Sequence, residues 1–247
     1  MYSESHCHLR GIGEETVKKA EEAGVRLILA AGIDILSSIE AVSTASKYGI
    51  VKGCVGIHPW RADELRHETL SELRILAAEP EVVAISEIGL DYKGRRTPQW
   101  EFTEEYIDPE IQRKAFKEQI RLAKELNLPV LVHDRTPGEG VLDILEEESI
   151  AGIGAAIHGF SKGYDYSRRS VDMGVYLSIG RRSIQEDNGE LMDTIRDIPL
   201  EWLLTETDSG DPTGVLEVAE KIAELKGLSA EEVGRVTTDN LRKLIKA

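Results

Sequence analysis

The chain has 247 residues, 41% of them hydrophobic and 30% charged, with a formal net charge of −15 at pH 7. That charge repels a polyanion over most of the surface and excludes extended duplex binding along a basic stripe, and no apolar run approaches the roughly 20 residues of a membrane span. Cys7 and Cys54 form neither a CxxC pattern nor a disulfide framework, and the N-terminus MYSESHCHL lacks the basic and apolar regions of a signal peptide, so a cytoplasmic location is expected.

Strand-like and helix-like segments alternate along the chain. The predicted order is a strand over 2–6, a helix over 14–23, a strand over 25–32, a helix over 36–48, a strand over 50–58, a helix over 68–79, a strand over 82–91 and a helix over 109–126. Strands over 128–133, 153–158, 175–179 and 202–208 follow, each leading to a helix, over 141–148, 166–173, 190–198 and 214–226. The helix over 109–126 carries Ile111, Ala115, Ile120, Leu122, Ala123 and Leu126 with charges between them, which suits a helix laid on a sheet. Gly24, Gly49, Gly174 and Gly227 follow helical runs, where a left-handed residue ends a helix. A last helix over 229–246 opens on Ser229 and Glu232, the pattern of a capping box. Eight such alternations predict an α/β fold, a (β/α)8 TIM barrel with one extra C-terminal helix. A doubly wound sheet is the runner-up, but it does not converge eight strand ends on one point. Residues 1–247 read as a single domain without a linker, and the longest irregular stretch is 92–108.

His6, His8, His58, His133 and His158 all fall where an apolar, strand-like run gives out, whereas His67 lies in a polar stretch. Two carboxylates end similar runs, Glu87 in VVAISEIGL and Asp208 in WLLTETD. On a strand, period two places His6 and His8 on one face with Cys7 turned away, the spacing of two ligands to one ion. The carboxyl ends of barrel strands meet at one mouth, so His133, His158, Glu87 and Asp208 can share a centre with that pair. Imidazole and carboxylate without a thiolate arrangement suit zinc, manganese or another borderline divalent ion. These donors outnumber the three protein ligands of a mononuclear catalytic zinc, which points to two divalent ions (zinc, manganese or magnesium) sharing a carboxylate.

The stretches SHCHL (5–9), GIHPW (56–60), EIGLDY (87–92), VHDR (132–135), IHGFS (157–161), ETDS (206–209) and VTTDNLRKL (236–244) follow the order and spacing of TatD-family hydrolases. The chain resembles that family over essentially its whole length, and the longer segment after EIGLDY is more similar to the archaeal and eukaryotic branch. The resemblance implies a metal-dependent barrel of the amidohydrolase superfamily that hydrolyses phosphodiesters, often as a 3′–5′ exonuclease or deoxyribonuclease on DNA. Carried over by matching motif, it implies one ion on His6, His8, Glu87 and Asp208, and a second on Glu87, His133 and His158. Glu87 would bridge, and Asp208 would also accept a proton from the attacking water. His58, within GIHPW, resembles the family's phosphate-contacting histidine and is assigned to substrate.

Other residues carry two readings each. Arg135 shares the strand parity of His133 and either pairs with a phosphate or closes a rim ion pair. Glu206 and Glu4 share parity with Asp208 and His6, and either orient ligands from behind or stand as unrelated interior charges. Asp91 is expected to cap a turn. Arg95, Arg96 and Trp100 lie beside the mouth and either hold a nucleotide base and its phosphates or pack as a solvated loop, and Trp60 raises the same question. Cys7 and Cys54 read as core fillers. The expected partner is a phosphodiester, a single-stranded DNA end or short nucleotide, with no extended duplex and no membrane.

The chain also departs from the family pattern. Glu4 stands where the N-terminal motif usually has aspartate, Arg10 where an acidic residue is frequent, Ser86 where glycine often precedes the glutamate, and Gly159 where cysteine is frequent. None of these removes a proposed ligand. After Asp208, the family's proline-rich loop is shortened to SGDPTG, which removes one wall of the usual mouth. Two rivals stand beside the nuclease reading. One is hydrolysis of an amide, ester or lactone, for which related barrels frequently bridge their metals through a carboxylated lysine. The other is a catalytically silent metal-binding protein that works through its surface.

Overall fold

The computed structural model describes residues 1–9, 13–94, 105–186 and 188–247. Strands β1 (Tyr2–Cys7), β2 (Val25–Ala31), β3 (Val51–Val55), β4 (Val82–Asp91), β5 (Val130–Arg135), β6 (Ala155–His158), β7 (Val175–Gly180) and β8 (Leu203–Glu206) pair in parallel, in that order, in one eight-stranded sheet. β8 returns to β1. The Thr205 hydroxyl donates to the Ser3 carbonyl at 2.8 Å, and the Asp208 amide donates to the His6 carbonyl at 3.0 Å. The expected (β/α)8 TIM barrel is therefore present and nearly closed.

Helices α1 (Glu14–Glu22), α2 (Ile35–Ala45), α3 (His67–Ala77), α4 (Pro109–Leu126), α5 (Gly140–Glu147) and α6 (Tyr164–Asp172) follow the first six strands. After β7 come a short α7 (Arg181–Gln185), which periodicity does not predict, and α8 (Gly189–Asp197); α9 (Val215–Lys226) and α10 (Ala230–Ile245) complete the chain. Local chemistry sets several starts. Asp108 accepts the Glu110 amide ahead of Pro109 in α4, and Ser229 accepts the Glu232 amide in α10, one half of the expected box. Gly24, Gly174 and Gly227 take positive φ as expected, whereas Gly49 does not, because the helix before it stops at Ala45 and the chain enters β3 through a turn.

Parallel strands are buried on both faces. The outer face packs on the helices through a large apolar layer that includes Ile85, Ile88, Phe116, Ile120, Val132 and Ile157. The inner face forms a smaller cluster, Leu27, Leu29, Cys54, Ala84, Leu131, Ala156 and Leu204, and Leu241, Leu244 and Ile245 of α10 join it. Most of these strand residues lie near the strand starts, so α10 plugs the amino end of the barrel and leaves the carboxyl end for side chains that face solvent. Both cysteines are buried, as expected of core fillers.

Two strands break register where ligands are needed. Between Ile85 and Ile88, β4 advances three residues while β5 advances two, and between Glu4 and Cys7, β1 advances three while β2 advances two. Such bulges re-aim side chains. The one in β4 turns Glu87 inward beyond Ala84, and the Ser86–Glu87 peptide within it is cis. The bulge in β1 separates Glu4 from the parity of His6. Among the described residues, no helix is long and apolar enough to cross a membrane.

Candidate metal centre

Every proposed ligand lies at the carboxyl end of the barrel. His6 is next to last in β1 and His8 follows it; His133 of β5 pairs in register with His158, the last residue of β6. β8 ends at Glu206 and β3 at Val55, so Asp208 and His58 sit in loops beyond their strands rather than at the strand ends the apolar runs suggest. Asp208 holds a left-handed backbone, φ 50°, which aspartate tolerates.

The Glu87 carboxylate stands in the middle. Its Oε2 lies 3.4 Å from His6 Nε2 and 3.8 Å from His8 Nε2. Its Oε1 lies 2.6 Å from His133 Nδ1 and 2.7 Å from His158 Nε2. Asp208 Oδ1 is 3.2 Å from His8 Nε2 and 3.7 Å from His6 Nε2. Donors bound at about 2.1 Å to one tetrahedral ion stand roughly 3.4 Å apart. The first set already has that spacing, while the second is drawn to hydrogen-bond length. Neither ring nitrogen of buried His6 makes a hydrogen bond, a desolvation cost that a cation at this point removes. The donor set fits divalent ions.

The atom behind each ring sorts ligands from the remaining histidine. A carbonyl or carboxylate behind a ring takes one N–H and leaves the other nitrogen's lone pair for a metal. His8 Nδ1 lies 3.2 Å from the Ala31 carbonyl and His133 Nε2 lies 2.9 Å from Asp91 Oδ2, while His158 Nδ1 faces Glu206 Oε1 at 3.4 Å without a hydrogen bond. His58 is turned the other way. Its Nδ1 accepts the Trp60 amide at 3.1 Å, which puts the proton of the neutral ring on Nε2, 3.2 Å from Glu87 Oε1. Burial, opposed by Glu87, lowers its pKa to about 4, so the ring stays neutral. By distance His58 groups with Glu87 and His133 as metal-capable; by tautomer it is a donor.

The electrostatics follow from this crowding. Burial pushes the Glu87 carboxyl up, but the surrounding imidazoles, His58 and His158 first, hold it well below the usual carboxylate range. Burial likewise depresses His158, but Glu87 and then Glu206 outweigh it and carry the ring up to about 10. For Asp208, burial is overcome by its bond to His8 and by His158 and His6, and the carboxyl is lowered. Both carboxylates stay ionised and demand positive charge. The Asp208 and His8 side chains are 40% and 33% exposed against 4% for Glu87, so the centre opens to solvent beside the short segment after Asp208.

The other expected residues divide. The Arg135 guanidinium donates to the carbonyls of Asp134 at 3.0 Å and Gly159 at 3.3 Å. It fills the space a side chain at Gly159 would need, an ideal Cβ there lying 2.3 Å from Arg135 Nη2. Glu206 backs His158, as one reading expected. Glu4 does not reach the ring of His6; its Oε1 accepts the amides of His6 at 2.9 Å and Thr207 at 3.1 Å, stitching β1 to the segment that carries Asp208. Arg10, Arg95, Arg96 and Trp100 lie outside the described residues. Asp91 does cap a turn, its Oδ1 accepting the Lys93 amide at 2.9 Å. Its Oδ2 meets His133 and Trp60 as well, a role that parity with Glu87 and Gly89 along β4 could have suggested.

A nearly closed TIM barrel whose strand ends gather imidazoles around one carboxylate belongs to the class of metal-dependent hydrolases. More narrowly, the chain belongs to the TatD family: the profile described as "TatD related DNase" matches residues 4–246. It is 32% identical to YabD, an uncharacterized metal-dependent hydrolase of Bacillus subtilis, with 100% of this chain and 99% of that protein covered. It is 30% identical to a 3′–5′ ssDNA/RNA exonuclease TatD of Shigella flexneri, over 94% and 92%. Its fold matches that of YJJV, a TatD homolog from Escherichia coli, with a TM-score of 0.87 and 25% identity over 100% and 98% of the two chains.

Proposed function

We propose that this chain hydrolyses phosphodiester bonds with two divalent ions, at the 3′ end of single-stranded DNA or on short nucleotides. The observation that carries the reading is the division of Glu87, one oxygen toward His6 and His8 and the other toward His133 and His158, as a carboxylate shared by two ions requires. Bound there, divalent ions would lower the pKa of water and offset charge developing on a phosphoryl group.

The chain's own residues do the rest. His6, His8, Glu87 and Asp208 would hold one ion, and Glu87, His133 and His158 the other. Asp208, ionised and exposed beside His8, accepts the proton of the attacking water. His58 offers its Nε2–H, and Arg135 its guanidinium, to phosphoryl oxygens. No carboxylate among the described residues pairs with Arg135, so its charge is free for an anion. The nuclease named among the relatives supports this substrate class.

Metal analysis of the purified protein should find about two ions per chain, and Glu87→Ala should deplete both, since a shared ligand serves both positions. Cleavage of a 3′-labelled single strand, compared with an amide and lactone panel under added Mn²⁺, Zn²⁺ and Mg²⁺, tests the substrate class. A protein without bound metal that no added ion activates would end the reading; lactone or amide turnover alone would move it to the rival.

A further inference from the structure

Asp91 is buried at the end of β4, 2% exposed. Its Oδ2 lies 2.9 Å from His133 Nε2 and 2.9 Å from Trp60 Nε1. Its main chain is clamped by Gln112 of α4, itself 1% exposed: the Asp91 amide donates to Gln112 Oε1 at 2.8 Å, and Gln112 Nε2 donates to the Asp91 carbonyl at 2.9 Å. We propose that Asp91 is a positioning residue, orienting the inner nitrogen of His133 and the indole of Trp60 through one carboxylate oxygen. This rests on the metal reading above.

An indole nitrogen only donates and an ionised carboxylate only accepts, so Asp91 Oδ2 asks His133 for a proton on Nε2, while Glu87 Oε1, 2.6 Å away, asks the same of Nδ1. A divalent ion seated between Nδ1 and Glu87 would remove that second demand, leaving the proton on Nε2 toward Asp91 and the Nδ1 lone pair toward the centre, where His158 Nε2 lies 3.0 Å away. Without that acceptor, a neutral imidazole distributes its proton between two nitrogens and its ring between two orientations. The same oxygen holds the half-buried Trp60 ring against His58, with ring centroids 4.5 Å apart and an interplanar angle of 65°. Inner ligand and outer wall therefore share one anchor: what fixes the metal ligand also fixes the aromatic surface beside the histidine assigned to phosphate. A carboxylate present merely to satisfy buried donors would support the fold without favouring one metal position over the other.

The test is metal affinity, read by competition with a chromophoric chelator for Zn²⁺ or Mn²⁺, in the full chain and four variants. Asp91→Asn should weaken one of the two ions by roughly 10–100-fold, the usual effect of losing such an outer partner, and leave the other unchanged. Placed on His133→Ala it should weaken metal binding no further. Trp60→Phe should leave both affinities alone and raise KM for a 3′-labelled strand more than it lowers kcat. In the zinc-loaded wild type, long-range ¹H–¹⁵N spectra should place the His133 proton on Nε2, a readout that holds even if Asp91→Asn folds poorly. Equal weakening of both ions, unchanged affinities, or a proton on Nδ1 would overturn the assignment while the metal reading stands. A wild-type chain that takes up no divalent ion would sink both together.

Discussion

The two ends of the barrel are built from the same eight strands and behave as opposites. At the amino end, Leu27, Leu131, Ala156 and Leu204 meet Leu241, Leu244 and Ile245 of α10 in a closed apolar cluster. At the carboxyl end the same strands present imidazoles and carboxylates, and buried polar atoms of His6, Ser86, Glu206 and Thr207 make no hydrogen bond. The apolar end is complete within the chain, because dispersion and burial need only more chain. The polar end is complete only with something bound, because buried donors and acceptors left unmade are costly. In a TIM barrel this is the division between stability below and chemistry above.

Four experiments can break or sharpen that contrast. The largest effect is expected from Gly89→Ala in β4. Gly89 has φ +144°, and a Cβ there meets the His133 carbonyl oxygen at 2.0 Å, so β4 and β5 cannot keep their pairing. A loss above about 4 kcal/mol, beyond the ordinary range for one substitution, should show as little soluble folded protein by circular dichroism. Next is Leu241→Ala in the plug, fully buried, which should cost about 2–5 kcal/mol in urea denaturation while ion content stays at the wild-type value. If Leu241→Ala emptied the centre, the two ends would not be separable.

Third, chelation should lower the unfolding temperature of the wild type, since an ion at 100 times its Kd adds about 2.7 kcal/mol. Glu87→Ala should show no such shift, and a chelator effect that persists in that variant would mean the ions sit elsewhere. The smallest effect belongs to the rim. Arg135→Ala removes one charge-assisted contact, so kcat/KM should fall by on the order of 10–100-fold, about 1.5–3 kcal/mol, with metal content unchanged. Unaltered kinetics would leave Arg135 a rim cation bound only to the carbonyls of Asp134 and Gly159, without a part in substrate binding.

Much of the fold was legible beforehand because periodicity survives in one dimension. The predicted helix over 109–126 matches α4, and the predicted strand over 82–91 matches β4. Short α7, Arg181–Gln185, was not legible, since five residues carry too little periodicity to stand out from a loop. The site was legible as a set of residue types at strand ends. Parity was less reliable. Strict alternation linked Glu4 to His6, but a bulge in β1 parts them, and a bulge in β4 brings Glu87 inward. Asp91 looked like a turn cap and is one, but its second oxygen serves a residue on another strand, which no local pattern encodes.

The sequence by itself determined the alternation of elements, the plug's apolar stripe and the identity of the donors that crowd one mouth, because these depend on spacing along the chain. Only the tertiary structure decided which nitrogen of each histidine faces the centre. The Trp60 amide makes His58 a donor, while the Ala31 carbonyl, Asp91 and Glu206 stand behind the rings of His8, His133 and His158. A lone pair is freed or used by an atom a few ångströms behind the ring, and that atom comes from wherever the fold brings the chain back.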